Sequence, residues 1–226
     1  MANSFIKLSD FIDLKSSASK EHFKGSENLL DYLGPKLGPW LERLLANYEI
    51  NEEPLSHSFI PEGAFVSGPV YIEKDVLIEP GAFIQGPCFI GSGSEIRHTA
   101  YIRGNVYVGK KCNVGHATEV KGSIFFDGAK AGHFAYVGDS ILGQNVNLGA
   151  GTKLANLKMR GDEVKFLDPH SDKRVSSGLR KFGAIMGDNS QTGCNAVLSP
   201  GTLLLPNTAV YPCFHYQGTL KNGVAR

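Results

Sequence analysis

The chain has little of what usually assigns a function at a glance. It has no CxxC pair: Cys88, Cys112, Cys194 and Cys213 stand apart, at no zinc-like spacing with histidine. That leaves a disulfide framework or a zinc finger without support and reads as a reduced, cytoplasmic protein. No apolar run approaches the roughly eighteen residues that a spanning helix needs. The opening MANSFIKLSDFIDLK lacks the continuous apolar core of a secretory leader, so neither a membrane partner nor a signal peptide is expected. Charge of one sign is not gathered anywhere: 23 basic and 22 acidic residues leave a net charge of +1. This argues against nucleic acid or an anionic membrane as the main partner.

What is present suits one ordinary domain with a small appendage. Apolar residues make up 42% of the chain, enough for a proper core. Glycine is abundant at 27 residues and recurs with the aliphatics instead of clustering in linkers, which directs attention to repeats.

Residues 1 to about 50 read as helical. Leu29, Leu30, Leu33 and Leu37 fall at helical spacing, as do Trp40, Leu44 and Tyr48. Gly34-Pro35 and Gly38-Pro39 are expected to break the stretch into two short helices, with Pro39 opening the second. From Ile60 the character changes. Stepping by six meets Ile60, Val66, Ile72, Ile78, Ile84, Ile90, Ile96, Ile102, Val108, Val114, Val120 and Phe126 without a miss. Two residues before each stands a mostly small or β-branched residue. Helices do not repeat in sixes; short strands joined by tight turns do. The register slips around Gly132 and Ser140 and resumes at Leu142, Leu148 and Leu154. A non-repetitive stretch occupies 157–183, and hexads return at Met186, Thr192, Leu198, Leu204 and Val210. The periodicity predicts an all-β solenoid whose turns bury their aliphatics against each other and whose ends need covering, for one of which the helices of 1–56 are candidates.

This pattern resembles the hexapeptide-repeat family. The resemblance implies a left-handed parallel β-helix over 57–226, about eighteen residues per coil, usually a homotrimer with sites in the clefts between subunits. In such a coil, positions eighteen apart stack at about 4.8 Å. Arg103 and Lys121 are so related, and two stacked cations repel unless an anion such as phosphate lies between them. The bland alternative is a pair of solvated surface cations. His98 and His116 are also eighteen apart, with His133 one short of the next step. This invites the zinc site of the gamma-class carbonic anhydrases, but the further histidine of that pattern is replaced by Val-Gly-Asp at 137–139.

A denser signal lies in EVKGSIFFDGAKAGHFAYVGDSILGQNVNLGAGT, residues 119–152. It resembles the acetyltransferase half of the bifunctional N-acetylglucosamine-1-phosphate uridyltransferase/glucosamine-1-phosphate acetyltransferase family, and the likeness continues more loosely through Asn156 to KFGAIMGD at 181–188. The resemblance implies that His133 is a general base, a residue type that titrates near neutral pH. By the same resemblance Arg103 and Lys121 hold a sugar 1-phosphate and Tyr136 adds a hydroxyl. Glu119, Asn147 and Asn156 hold sugar hydroxyls and the amine. Lys181, which matches the family's K-F, joins the substrate-binding set, with Lys158 and Lys165 as competitors. The backbone at Ala150 faces the thioester of acetyl-CoA, and Cys194 stands where the family has a serine near the acyl-CoA. No metal and no covalent nucleophile are required.

The chain departs from the family in three ways. No glycine-rich LAAGxGTRM-like loop is present, so the uridyltransfer step is expected to be lost or to reside on a separate nucleotidyltransferase. Twenty-four residues stand between Asn156 and Lys181 where about five are usual, a length that is functional or disordered in most proteins. The basic C-terminal tail is reduced to LKNGVAR. The expectation is thus a trimeric N-acetyltransferase of an amino-sugar 1-phosphate. Two alternatives stay open: a non-catalytic subunit that binds a sugar nucleotide or a nucleotidyltransferase, and a metal-dependent hydratase.

Overall fold

A computed structural model describes residues 5–50 and 53–226. Residues 1–4 and 51–52 of the cover expected over 1–56 lie outside the described residues. The hexads fold as anticipated. Strands of two to four residues alternate around three parallel sheets of nine, eight and eight strands, the faces of a parallel β-helix of the expected class. Each aliphatic of the repeat points inward, from Val70 and Ile72 through Val114 and Val120 to Leu204 and Val210. Turn positions take left-handed backbone, and at Asn105, Asn145, Asn195 and Asn207 an asparagine adopts it with φ of 51° to 61°. Asparagine tolerates this region because its short amide bonds locally.

The first coils are eighteen residues long: Ile84 pairs with Ile102. Two shorter coils follow. Val106 pairs with Ser123, and Ile124 with Ile141, seventeen residues on each time. The missing residue is lost at one corner, because the inward positions step by five from Val120 to Phe125 and again from Val137 to Leu142. The first slip therefore comes at the Gly122 corner, about ten residues before the position suggested by the sequence. Phe125 rather than Phe126 points into the coil, and Phe126 packs on the outside under the N-terminal segment.

The N-terminal segment lies along a flank, not over an end. On the nine-stranded face the outward row reads Tyr71, Phe89, Tyr107, Ile124, Ile141, Ile185 and Leu203 in register. Such a row exposed to water would cost about 1.5–3 kcal/mol per side chain. Ile6, Phe11, Phe23, Leu29, Leu37, Leu41 and Leu45 bury it instead. Among the described residues this segment contains a single α-helix, Leu37–Ala46, preceded by short 3-10 turns, so the expected pair of helices is one helix and its lead-in. Pro39 is its third residue, where a backbone N–H has no partner within the helix to lose.

Two aspartates at equivalent corners hold this segment down. Asp127 accepts from Ser17 Oγ at 2.7 Å, Ser19 Oγ at 2.6 Å, Ser19 N at 3.1 Å and Lys110 N at 2.8 Å. Asp188 accepts from the Asp13 N–H at 2.8 Å and the Gln144 N–H at 2.7 Å. Residues 157–183 are an ordered excursion whose ends meet: Leu157 bridges Lys181, and the Phe182 N–H donates to the Asn156 carbonyl at 2.9 Å. Between them runs an antiparallel hairpin, Lys165–Leu167 with Arg174–Ser176, that buries Val164 and Phe166 beside the N-terminal segment.

Candidate active site

Several of the expected residues gather at one corner. A cavity of about 350 Å³ is lined by Arg103, Lys121 and Lys181, which come from two neighbouring coils and the far end of the insertion. Lys181 reaches it because the excursion closes on itself; Lys158 and Lys165 do not line it. Lys158 is tied instead to Asp162 at 3.1 Å. The stacked cations do not simply repel. Arg103 Nη1 donates to Glu119 Oε1 at 2.6 Å, and Lys121 Nζ donates to the two oxygens of Asp139 at 3.1 and 2.9 Å. Glu119, expected to bind sugar hydroxyls, is thus the ion-pair partner of Arg103.

Beside this corner the Tyr136 hydroxyl donates to Asn156 Oδ1 at 3.3 Å, and Asn156 Nδ2 donates to Asp139. Gly138 leaves the room: a methyl group there would strike both the Tyr136 hydroxyl and the Asn156 amide. Burial, and after it the charges of Asp139 and Glu119, push the Tyr136 phenol up from its usual value. It therefore stays a neutral hydroxyl that can donate.

His133, Asn147, Ala150 and Cys194 lie on the adjacent eight-stranded face, where they line a groove of about 620 Å³. The two groups are separated by a single chain corner: His133 ends the strand Lys130–His133 and Tyr136 begins the strand Tyr136–Gly138. Asn147, expected at the sugar, belongs to the histidine groove and not to the cation cavity. The seventeen-residue coil corrects another reading, since the shortened corner places His133 directly beside His116 in register. His98 and His116 stack at 4.2 Å between ring centroids, so the three histidines form one ladder along an edge. No group of three or more metal-ligating side chains among the described residues is placed to hold an ion. Nor is any helix among them long and apolar enough to cross a membrane.

Reading the sequence missed Asp139, Arg180 and the Gly34-Pro35 wall, all of which line the cation cavity. Asp139 was visible inside YVGD but carried no separate signal, and the wall is contributed by a segment distant in sequence.

The curated proteins similar to this chain include a bifunctional sugar-1-phosphate nucleotidylyltransferase/acetyltransferase of Sulfurisphaera tokodaii. It is 42% identical over 89 residues, 39% of this chain and 22% of that protein. The bifunctional protein GlmU of Methanocaldococcus jannaschii is 45% identical over 78 residues, 34% of this chain and 18% of that protein. The matches thus span about a fifth of the length of these relatives. Among solved structures, the polysialic acid O-acetyltransferase OatWY aligns over 77% of this chain and 82% of its own, at 13% identity and a TM-score of 0.44. The family model described as the GMPPB C-terminal domain matches residues 84–210, the coils that carry both the cation cavity and the histidine groove. That match takes in more than half of the 226 residues, and the chain belongs to this family of hexapeptide-repeat coils.

Proposed function

We propose that the chain is an acyltransferase that moves the acetyl group of acetyl-CoA to the amine of an amino-sugar phosphate, with glucosamine-1-phosphate the first acceptor to consider and galactosamine-1-phosphate the second. One observation carries the reading. Arg103 and Lys121 from neighbouring coils and Lys181 from the end of the insertion line one cavity, while His133, Ala150 and Cys194 line a groove on the next face. The names of the similar bifunctional proteins, which pair nucleotidyl transfer with acetyl transfer, support it. Homotrimeric assembly and a separate nucleotidyltransferase belong to the same proposal.

In the proposed reaction the neutral amine nitrogen attacks the thioester carbonyl. His133 takes the proton released as the C–N bond forms. The tetrahedral oxyanion is steadied by backbone N–H near Ala150, and the C–S bond then breaks to expel CoA thiolate, which leaves as the thiol after protonation. The cation cavity fixes the sugar by its phosphate so that the amine is held for attack. Tyr136, kept neutral, offers its hydroxyl as a donor.

Release of free thiol from acetyl-CoA with glucosamine-1-phosphate tests the proposal. Turnover that falls at least a hundredfold in His133→Ala is expected. A folded wild-type chain that releases no thiol with either amino-sugar phosphate sinks the reaction. The remaining reading would then be a subunit that binds its sugar ligand without turnover.

A further inference from the structure

One buried carboxylate lines the cation cavity. Asp139 is 6% exposed, and its side chain accepts from Lys121 Nζ and Asn156 Nδ2. Asn156 in turn accepts from the Tyr136 hydroxyl, so three groups given a substrate role converge on Asp139 directly or through one step. The backbone pins Asp139 just as firmly. Its N–H donates to the Lys121 carbonyl at 2.9 Å, and its carbonyl accepts from the Gly183 N–H at 2.8 Å. It sits in the left-handed region at φ 44°, at the shortened corner between Val137 and Leu142, and its carboxylate packs so closely on Gly122 that a methyl group there would collide with Oδ1. A flexible surface ion pair needs none of this.

We infer that Asp139 is the positioning residue of the phosphate cavity, a role that rests on the function proposed above. It performs two opposed tasks. Its negative charge competes with phosphate for Lys121, which weakens ground-state binding of any anion. Its fixed oxygens hold the Lys121 ammonium at the wall of the cavity and fix the Asn156 amide, and through the amide the Tyr136 hydroxyl, beside it. A phosphate that arrives has to replace Asp139 on Lys121, and the lysine it takes over already points in the right direction.

The two tasks separate in the variant Asp139→Asn. Asparagine accepts the left-handed backbone and keeps one oxygen for Asn156, but the charge is gone. Inorganic phosphate and glucosamine-1-phosphate, titrated against the full chain by calorimetry, are expected to bind about threefold to tenfold more tightly to Asp139→Asn than to wild type. In thiol-release kinetics the same variant is expected to show an unchanged or lowered KM for glucosamine-1-phosphate, with kcat reduced about tenfold to a hundredfold. A thermal melt of each chain controls for folding, and Asp139→Glu serves as a second variant that retains the charge while displacing it. That variant is expected to bind phosphate no more tightly than wild type while still losing kcat.

Phosphate affinity that is equal in wild type and Asp139→Asn overturns the inference, as does a raised KM with kcat intact. If the wild-type chain binds glucosamine-1-phosphate without turnover, the binding comparison alone decides the role of Asp139, and it is the acetyl-transfer reading that has failed.

Discussion

Replacing Asp127 by alanine is expected to unlatch the N-terminal segment while leaving the coil intact. The carboxylate accepts four hydrogen bonds, from both Ser17 and Ser19 hydroxyls and from the N–H groups of Ser19 and Lys110. Both serines are only 2% exposed, so water does not readily replace the lost acceptor. A buried donor left unsatisfied costs about 1–3 kcal/mol. The Ser19 N–H keeps Ser17 Oγ as an acceptor at 3.1 Å. Counting the Lys110 N–H and the two serine hydroxyls at the low end of that range, Asp127→Ala should cost about 4 kcal/mol, and Asp127→Asn, which keeps one acceptor, about half of that. At about 1.4 kcal/mol per decade, the larger loss corresponds to a local opening on the order of a thousandfold more frequent. Hydrogen exchange reads it directly. The amide of His22, bonded to the Ser19 carbonyl at 3.0 Å, should exchange about a thousandfold faster, with the amides of strand Ser123–Phe125 unchanged. The pH dependence has a definite sign. Burial works to raise the Asp127 pKa, but the hydrogen bonds from Ser19, Lys110 and Ser17 together hold it below its ordinary value. Its contribution is therefore complete above the unfolded carboxylate range of about 4 and is lost as pH falls through the lower folded value. Acceleration below tenfold, or equal acceleration in the coil strands, would refute the latch.

Three further outcomes follow from the same contacts. Lys121→Met should raise the KM for glucosamine-1-phosphate at least tenfold, measured by thiol release, because it removes the least exposed cation of the cavity's two ion pairs, 21% against 43% for Arg103. His22 lies between the Tyr107 and Tyr48 hydroxyls at 2.8 and 3.2 Å, and burial pushes its imidazole down from the ordinary value. Its contribution to stability is present above about pH 6.5 and is lost as pH falls through the folded pKa, so urea midpoints should drop over that range in wild type and not in His22→Phe. A thiol reagent at neutral pH should modify two cysteines of the folded chain and four of the denatured one. Cys194 and Cys213 are exposed, whereas Cys88 and Cys112 are buried in the coil, which pushes the Cys112 thiol up to about 12.

The coil was legible from Ile60 onward because a six-residue period leaves each aliphatic no alternative to the interior. The slip at Gly122 was not, since Phe125 and Phe126 are both aromatic and both buried, one inside the coil and one under the N-terminal segment. Pattern alone does not separate two kinds of burial. For the same reason the alternating residues Phe89, Tyr107 and Ile124 gave no warning that one whole face was apolar on both sides. In the site, Arg103, Lys121 and Lys181 were found as residues but not as a cavity, because the wall at Gly34-Pro35 comes from the far end of the chain. Asp139 was overlooked for a different reason. A carboxylate beside a proposed phosphate site looks like an opponent until its three-way bonding is seen.

A triangular coil has three sides to offer, and this chain has closed one of them with its residues 5–50. The strand faces left bare are the two eight-stranded sides. Those sides carry the cation cavity's coils and the histidine groove, and on one of them Phe65, Phe83 and Tyr101 stand exposed in a stacked column. The flank cover therefore decides which strand faces stay bare as well as adding to stability. It makes the three sides inequivalent, and the two that stay bare differ from each other, one carrying the aromatic column and the other the histidine groove.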